Sequence, residues 1–299
     1  MKLSVVGSIN MDLTVTAERI PQKGETLRGS SIHYIPGGKG ANQAVAMARL
    51  GANVQMFGCV GDDDNGKRLL ENLSAEGVNT DCISVSAGVP TGLALITVGE
   101  RDNTIVVVAG ANDTVDCAYI DKVQKELLQS DVVVLQHEIP EETVAYVISL
   151  CAAHGVKTVL NPAPARKLSQ KVIEEVSYLT PNEHEAKILF GDVPFKELLL
   201  SYPEKLVVTR GAKGVSAARA DGEVLDIPAR PAVVVDTTGA GDTLNGTFAV
   251  MAARGVDFKD ALIFANTAAG LSVQKFGAQG GMPTLAEVER AMDEMGAAR

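Results

Sequence analysis

Residues 233–248, VVVDTTGAGDTLNGTF, set an acid directly behind a glycine turn. Gly239, Ala240 and Gly241 can turn sharply and leave backbone N–H groups free at the start of a helix. Such groups stabilise negative charge, as on a transferring phosphoryl group. Asp242 would lie beside that charge and would repel a bound phosphate. It fits as a base that takes a proton from an attacking hydroxyl. The plainer alternative is a first-turn acid that stabilises its own helix.

Residues 35–44, IPGGKGANQA, form a second glycine turn running into a helix. Gly37 and Gly38 allow close backbone approach, and Asn42 presents an amide donor and acceptor. This turn could hold sugar hydroxyls or simply begin a helix. GSINMD adds Asn10 and Asp12 just after a strand, where α/β proteins bind ligands. A carboxylate with amides suits a polyol, because each hydroxyl both donates and accepts. TPNEHEAKILF spaces Asn182 and Glu185 three apart, on one helical face. They read either as a Mg²⁺-linked pair or as an acid-rich helix start. VVTRGAKG, with Thr209, Gly211 and Gly214, is a hairpin turn or a nucleotide-contacting loop. GDDDNGKR (61–68) nearly matches the phosphate-binding pattern G-x-x-x-x-G-K-[ST]. Its last position is Arg68, which has no hydroxyl for Mg²⁺, and its three aspartates would repel phosphate. They read better as caps for the helix that follows.

The elements that must position these groups alternate between short β-branched runs and longer helical patterns. LSVVGSI, NVQMFGCVG, DVVVLQ, VKTVLN, YLTP and KLVVTRG read as strands. KGANQAVAMARLG, NGKRLLENLSAEG, EETVAYVISLCAAHG and NEHEAKILFG read as helices. Continuously apolar strands such as 132–135 point to burial on both faces, the mark of a parallel sheet in an α/β protein. Residues 26–36 and 91–109 break the rhythm with β patterns and little helix. The second reads as a hairpin with its turn at 100–103. Together they predict a small antiparallel sheet, a lid rather than an independent domain. From Gly239 onward the chain predicts helices over 240–254, 258–275 and 285–295.

Apolar residues make up 46% of the 299, enough for a sizeable core, and 21% are charged. The net charge of −10 and the lack of a Lys/Arg block argue against nucleic acid or an anionic membrane as partners. The N-terminus is too short in apolar residues for a secretory signal, and no run approaches the roughly 20 a spanning helix needs. A cytoplasmic protein is expected. Cys59, Cys82, Cys117 and Cys151 form no C-x-x-C pair and read as small buried or half-buried hydrophobes. The four histidines show no metal-ligand spacing.

Taken in order, GSINMD, GGKGANQAVAMARLGA, VVVAGAN, NPAPA, TPNEHEA, TRGAKG and DTTGAGD resemble the ribokinase-like carbohydrate kinases from about residue 3 to 295. The resemblance implies one kinase domain over 1–299, with a central, mostly parallel sheet flanked by helices and a β lid from segments near 12–36 and 91–109. It implies transfer of the ATP γ-phosphate to a small sugar, D-ribose at its 5-hydroxyl. Deoxyribose, fructose or a nucleoside are the alternatives, and a non-catalytic sugar binder is a weaker one. By motif, Asn10, Asp12, Gly38, Lys39, Asn42 and Glu138 would contact the sugar. Asp242 would be the base, with Gly239, Ala240 and Gly241 as the anion hole. Asn182, Thr209, Gly211, Gly214, Gly241 and Asn266 fall on the nucleotide side. Asn182 and Glu185 would help organise Mg²⁺, through water. Asp236, Thr238, Ser272, Lys275, Gly277 and Gly281 map to a monovalent cation site, usually K⁺. Several would bind through backbone carbonyls only, with the Lys275 amine turned away. For Lys39 a second reading stays open, support of the glycine turn in place of contact with substrate. Pairing of two lids would give a homodimer.

Overall fold

A computed structural model describes residues 1–100 and 102–297. Its strands are β1 (Lys2–Val6), β2 (Asn10–Thr16), β3 (Ser31–Gly37), β4 (Asn53–Gly61), β5 (Asn79–Ser86), β6 (Gly92–Gly99), β7 (Asp102–Val108), β8 (Val132–Leu135), β9 (Lys157–Leu160), β10 (Tyr178–Leu179), β11 (Val207–Thr209), β12 (Val215–Ala218) and β13 (Val224–Ile227). Its helices are α1 (Lys39–Arg49), α2 (Asp64–Ala75), α3 (Cys117–Leu127), α4 (Glu141–Ala153), α5 (Gln170–Glu175), α6 (Glu183–Phe190), α7 (Phe195–Ser201), α8 (Ala240–Ala253), α9 (Phe258–Ser272) and α10 (Leu285–Ala297).

Six strands form a parallel sheet in the order β10-β9-β8-β1-β4-β5. The fully apolar run of β8 is buried throughout because helices cover both faces. One apolar cluster joins α1, α8 and α9 to one face of the sheet, and a second joins α3 and α4 to the other. Isolated parallel bridges, Leu179 with Leu206 and Asn182 with Thr209, carry this sheet into an antiparallel one of order β11-β12-β13. The sequence pattern assigned no element to β5, β12, β13, α3, α5 or α7.

The lid is a third sheet, ordered β3-β2-β6-β7. It corrects one expectation, because β2 and β6 pair in parallel. Both strands start at the body, Asn10 opposite Gly92, and so run the same way. The hairpin β6–β7 is antiparallel as expected. Its turn includes Arg101, which lies outside the described residues, as do positions 298–299 of the expected 1–299 domain. The register sets Ile35, Asp12, Ala94 and Val107 in one row, and Tyr34, Leu13, Leu95 and Val106 in the next. Alternation sends those rows to opposite faces.

Asp63 caps α2, accepting from the Gly66 N–H, as expected for the Asp-rich loop. It also accepts from the N–H and hydroxyl of Thr91, at the root of β6. Cys59 and Cys151 are buried, and Cys82 and Cys117 half-buried; all four are free. No helix among the described residues is long and apolar enough to cross a membrane.

Candidate active site

Asp242 lies in the first turn of α8 and is 6% exposed. It is reached from α1. The two helices cross so closely that a Cβ on Gly246 of α8 would sit 2.8 Å from the carbonyl oxygen of Gln43. This proximity lets Asn42 Nδ2 donate to Asp242 Oδ2 at 2.9 Å and Gln43 Nε2 donate to Oδ1 at 3.0 Å. Burial pushes the Asp242 carboxyl up from its ordinary range, against the pull of Lys39 and of the two amide donors.

The N-terminus of α8 is shaped for an anion. Gly239 is left-handed, with φ 78°, and the first intrahelical bond runs from the Thr243 N–H to its carbonyl at 2.8 Å. The N–H groups of Gly241 and Asp242 precede that bond, and Ala240 donates only a long 3.3 Å bond to Thr237. Gly241 is exposed, while Gly239 and Ala240 are half-buried.

Around Asp242 the charges crowd. Glu138 Oε2 accepts from the Ser8 hydroxyl at 2.6 Å and from the Lys39 N–H at 3.0 Å. Asn10, 3% exposed, accepts at Oδ1 from Asn112 Nδ2 at 2.6 Å. Burial, then Glu138 and Asp242, raise the Asp12 carboxyl to about 7, with Lys39 opposing. Burial disfavours the charge on Lys39, but Asp242, Glu138, Glu185 and Asp12 outweigh it and hold its amine above its ordinary value. Lys39 also lines a cavity of about 590 Å³ with Asn10, Asn112, His137, Glu138 and the lid residue Val107. The Lys39 backbone N–H is thus tied to Glu138, and the residue lines the cavity.

A second cavity of about 600 Å³ borders the α8 N-terminus, lined by Gly211, Ala212, Thr237, Ala240, Asn266 and Gly270 among others. Asn266 donates from Nδ2 to the Pro228 carbonyl at 2.7 Å. Gly214 closes the β11–β12 hairpin at φ 90°, where a Cβ would lie 2.0 Å from the Ile227 oxygen. Thr209 is held by its own N–H, which donates to the Pro181 carbonyl at 2.9 Å. TRGAKG is therefore a hairpin turn, and its Gly211 and Ala212 line this cavity. Asn182 and Glu185 do not share a helical face as their spacing suggested. Asn182 is the N-cap of α6, and the two form a reciprocal capping box at 2.8 Å each way. Burial raises the Glu185 carboxyl, against the Asn182 N–H and Lys39.

A third cavity, about 410 Å³, lies under the lid and contains Asp12, Asp236, Thr238, Phe276 and Gly277. Asp236 Oδ1 accepts from the N–H and hydroxyl of Thr238, and Oδ2 from the Gly277 N–H at 2.9 Å. Despite burial, these donors hold its carboxyl below the usual range. Ser272 donates its hydroxyl to Ala269, and its carbonyl packs against Gly281, where a Cβ would lie 2.0 Å away. The Lys275 amine sits 3.7 Å from Glu287, turned to the helix α10. Gly281 and Lys275 line a separate surface hollow rather than this cavity. Among the described residues no three His, Cys, Asp or Glu side chains group as metal ligands.

The sequence reading missed Ser8, Gln43, Asn112, Gln136 and Gln279, all hydrogen-bonded around Asp242, Asn42, Asn10 or Glu138. The available signal was their place inside or beside the quoted motifs, as for Gln43 after Asn42 and Asn112 in VVVAGAN.

An α/β sheet, a small β-sheet beside carboxylates and amides, and a glycine-led helix bordering a cavity are the setting in which the family comparison falls. The model for "pfkB family carbohydrate kinase" matches residues 1–285, and the chain belongs to that family. It is 52% identical to the ribokinase of Bacillus subtilis over 97% of this chain and 99% of that one. It is 45% identical to the ribokinase of Lactococcus lactis, covering 98% of each. The structure of Arabidopsis thaliana ribokinase complexed with ribose and ATP superposes with a TM-score of 0.87 at 31% identity, covering 97% of this chain and 98% of that one.

Proposed function

We propose that this chain phosphorylates D-ribose at its 5-hydroxyl with ATP, and that Asp242 is the base. The observation that carries the reading is the buried Asp242, gripped by two amides at the start of a helix whose Ala240 lines the nucleotide-side cavity. Relatives named ribokinase at 52% and 45% identity, and the fold shared with a ribose- and ATP-bound structure, support the substrates.

In the proposed reaction the sugar occupies the cavity of Asn10, Lys39 and Glu138, with Asp12, Gly38 and Asn42 completing its contacts. ATP occupies the cavity of Gly211, Ala240 and Asn266. The hydroxyl proton passes to Asp242 as its oxygen bonds the γ-phosphorus and the bond to ADP breaks. The N–H groups of Gly239, Ala240 and Gly241 face the charge on the transferred group. Lys39 offsets the crowd of carboxylates and favours an ionised Asp242. Closure of the lid excludes water from the transfer.

A divalent ion accompanies ATP in such a kinase, and Mg²⁺ supplies charge neutralisation on the phosphates. Asn182 and Glu185 fit an outer, water-mediated role, because the capping box already engages Asn182 Oδ1 and one Glu185 oxygen. A monovalent cation, K⁺, suits the oxygen-rich cluster of Asp236, Thr238 and Ser272, with Gly277 and Gly281 shaping the loop. The apolar outer row of the lid, with Tyr34, Leu95 and Val106 exposed, supports pairing with a second copy.

The deciding experiment couples ADP release to a panel of ribose, deoxyribose, fructose and nucleosides, with wild type and Asp242→Asn. Ribose should give the highest kcat/KM. The variant should lose about 10²–10⁴-fold in kcat with little change in KM. Near-wild-type turnover in Asp242→Asn would remove the base.

A further inference from the structure

A base must be both ionised and aimed, and the two amides that hold Asp242 do not aim themselves. An amide has a donor end and an acceptor end of almost the same shape. Turned over, Asn42 or Gln43 would press an oxygen against the carboxylate instead of an N–H. What holds the far end of each amide therefore decides which end faces Asp242.

Both far ends are held by buried glutamines from other elements. Gln136, fully buried just after β8, donates from Nε2 to Gln43 Oε1 at 2.6 Å. Its own oxygen packs against Gly7, where a Cβ would lie 2.1 Å from it. Gln279, 6% exposed in the loop before α10, donates from Nε2 to Asn42 Oδ1 at 3.1 Å. Its amide is oriented in turn, because Oε1 accepts from Asn72 Nδ2 of α2 at 2.9 Å. Arg49 anchors that loop, donating to the carbonyls of Gln279 and Met282 while it pairs with Glu76 through two nitrogens. A weaker contact, Gln43 Nε2 to Asn161 Oδ1 at 3.4 Å, favours the same orientation of Gln43.

We propose that Gln136 and Gln279 are positioning residues for phosphoryl transfer: each locks the donor end of one amide, Gln43 or Asn42, onto a different oxygen of Asp242. This rests on the reading of Asp242 as base. The second arm also ties the base to the loop of Gly277 and Gly281, so the geometry of that loop reaches Asp242 through one hydrogen-bonded amide.

The test uses full-length chain with Gln136→Met, Gln279→Met and Gln43→Met, singly and in pairs. Initial rates are measured across pH with ribose and ATP, beside thermal melts. Each single variant should lower kcat about 10–150-fold, the equivalent of one hydrogen bond to a charged group. KM for both substrates should hold within about two-fold. The acid limb of kcat should move to higher pH, since an ionised Asp242 loses a donor while Lys39 of α1, Glu138 after β8, Asp12 of the lid and Glu185 of α6 stay in place. Gln136→Met should add nothing to Gln43→Met, because both break one arm, whereas Gln136→Met and Gln279→Met should multiply. An unmoved acid limb, or multiplying effects of Gln43→Met and Gln136→Met, overturns the proposal. If Gln136→Met fails to fold, the shift of the acid limb in Gln279→Met decides it alone. Asp242→Asn separates the two readings. Activity in that variant removes the base itself, while a dead Asp242→Asn with unshifted glutamine variants removes only the clamp.

Discussion

Asp12→Asn should make the protein more stable and a worse kinase, and the gain should depend on pH. Burial beside Glu138 and Asp242 lifts the Asp12 carboxyl from 3.8 to about 7. A group raised in this way favours the folded state fully below pH 3.8, and that contribution is lost as pH rises through about 7. At 1.36 kcal/mol per pH unit, the full loss is about 4 kcal/mol. Asparagine has the shape of the protonated acid and never ionises, so it escapes the loss. The stability of the variant relative to wild type should therefore grow between pH 5 and pH 8 by about 2–3 kcal/mol. Urea unfolding at half-unit pH steps, followed by far-UV circular dichroism, reads this difference directly. Loss of a charged acceptor for a sugar hydroxyl should raise KM for ribose about ten-fold or more. A stability difference that stays constant from pH 5 to pH 8 would refute the reasoning, because it would mean Asp12 titrates near its ordinary value.

Three further outcomes follow from the geometry. Gly40→Ala would place a Cβ 2.6 Å from the Ser8 nitrogen and 2.7 Å from the Gly7 carbonyl carbon. Backbone cannot yield there, so calorimetry should show a loss of about 1–3 kcal/mol, with a higher KM for ribose. At constant ionic strength K⁺ should activate turnover well above Na⁺, and equal rates would remove the cation site. Light scattering should give twice the chain mass, and Val106→Asp in the exposed outer row of the lid should give single chains. An unchanged mass would move the interface elsewhere.

Much of the fold was legible because its signals are local. The β4 boundaries follow from an apolar run ending in glycine, and α8 follows from a glycine turn leading into a small-residue helix. β5 was passed over because its burial is mixed rather than alternating, so it carries no clean period. A separate sheet does form from the segments read as β, but its parallel pair depends on where two chain-distant strands leave the body. Asn182 and Glu185 show the limit of spacing as a guide, since a separation of three suits one helix face and a capping box equally. Asp242, Asn42 and Asp12 stood out by their type in motifs, whereas Glu138 came only from the family resemblance. Gln136 and Gln279 were not, because a lone amide says nothing until its neighbours in space are known.

The grip of Arg49 on the carbonyls of Gln279 and Met282 joins an early helix to a segment made near the end of synthesis. The sugar-side residues, from Asn10 to Glu138, leave the ribosome first, and Asp242 emerges more than a hundred residues later. The loop that orients Asn42 comes later still. The α1 face that carries Asn42 and Gln43 therefore gains its packing partner only when α8 has emerged and docked.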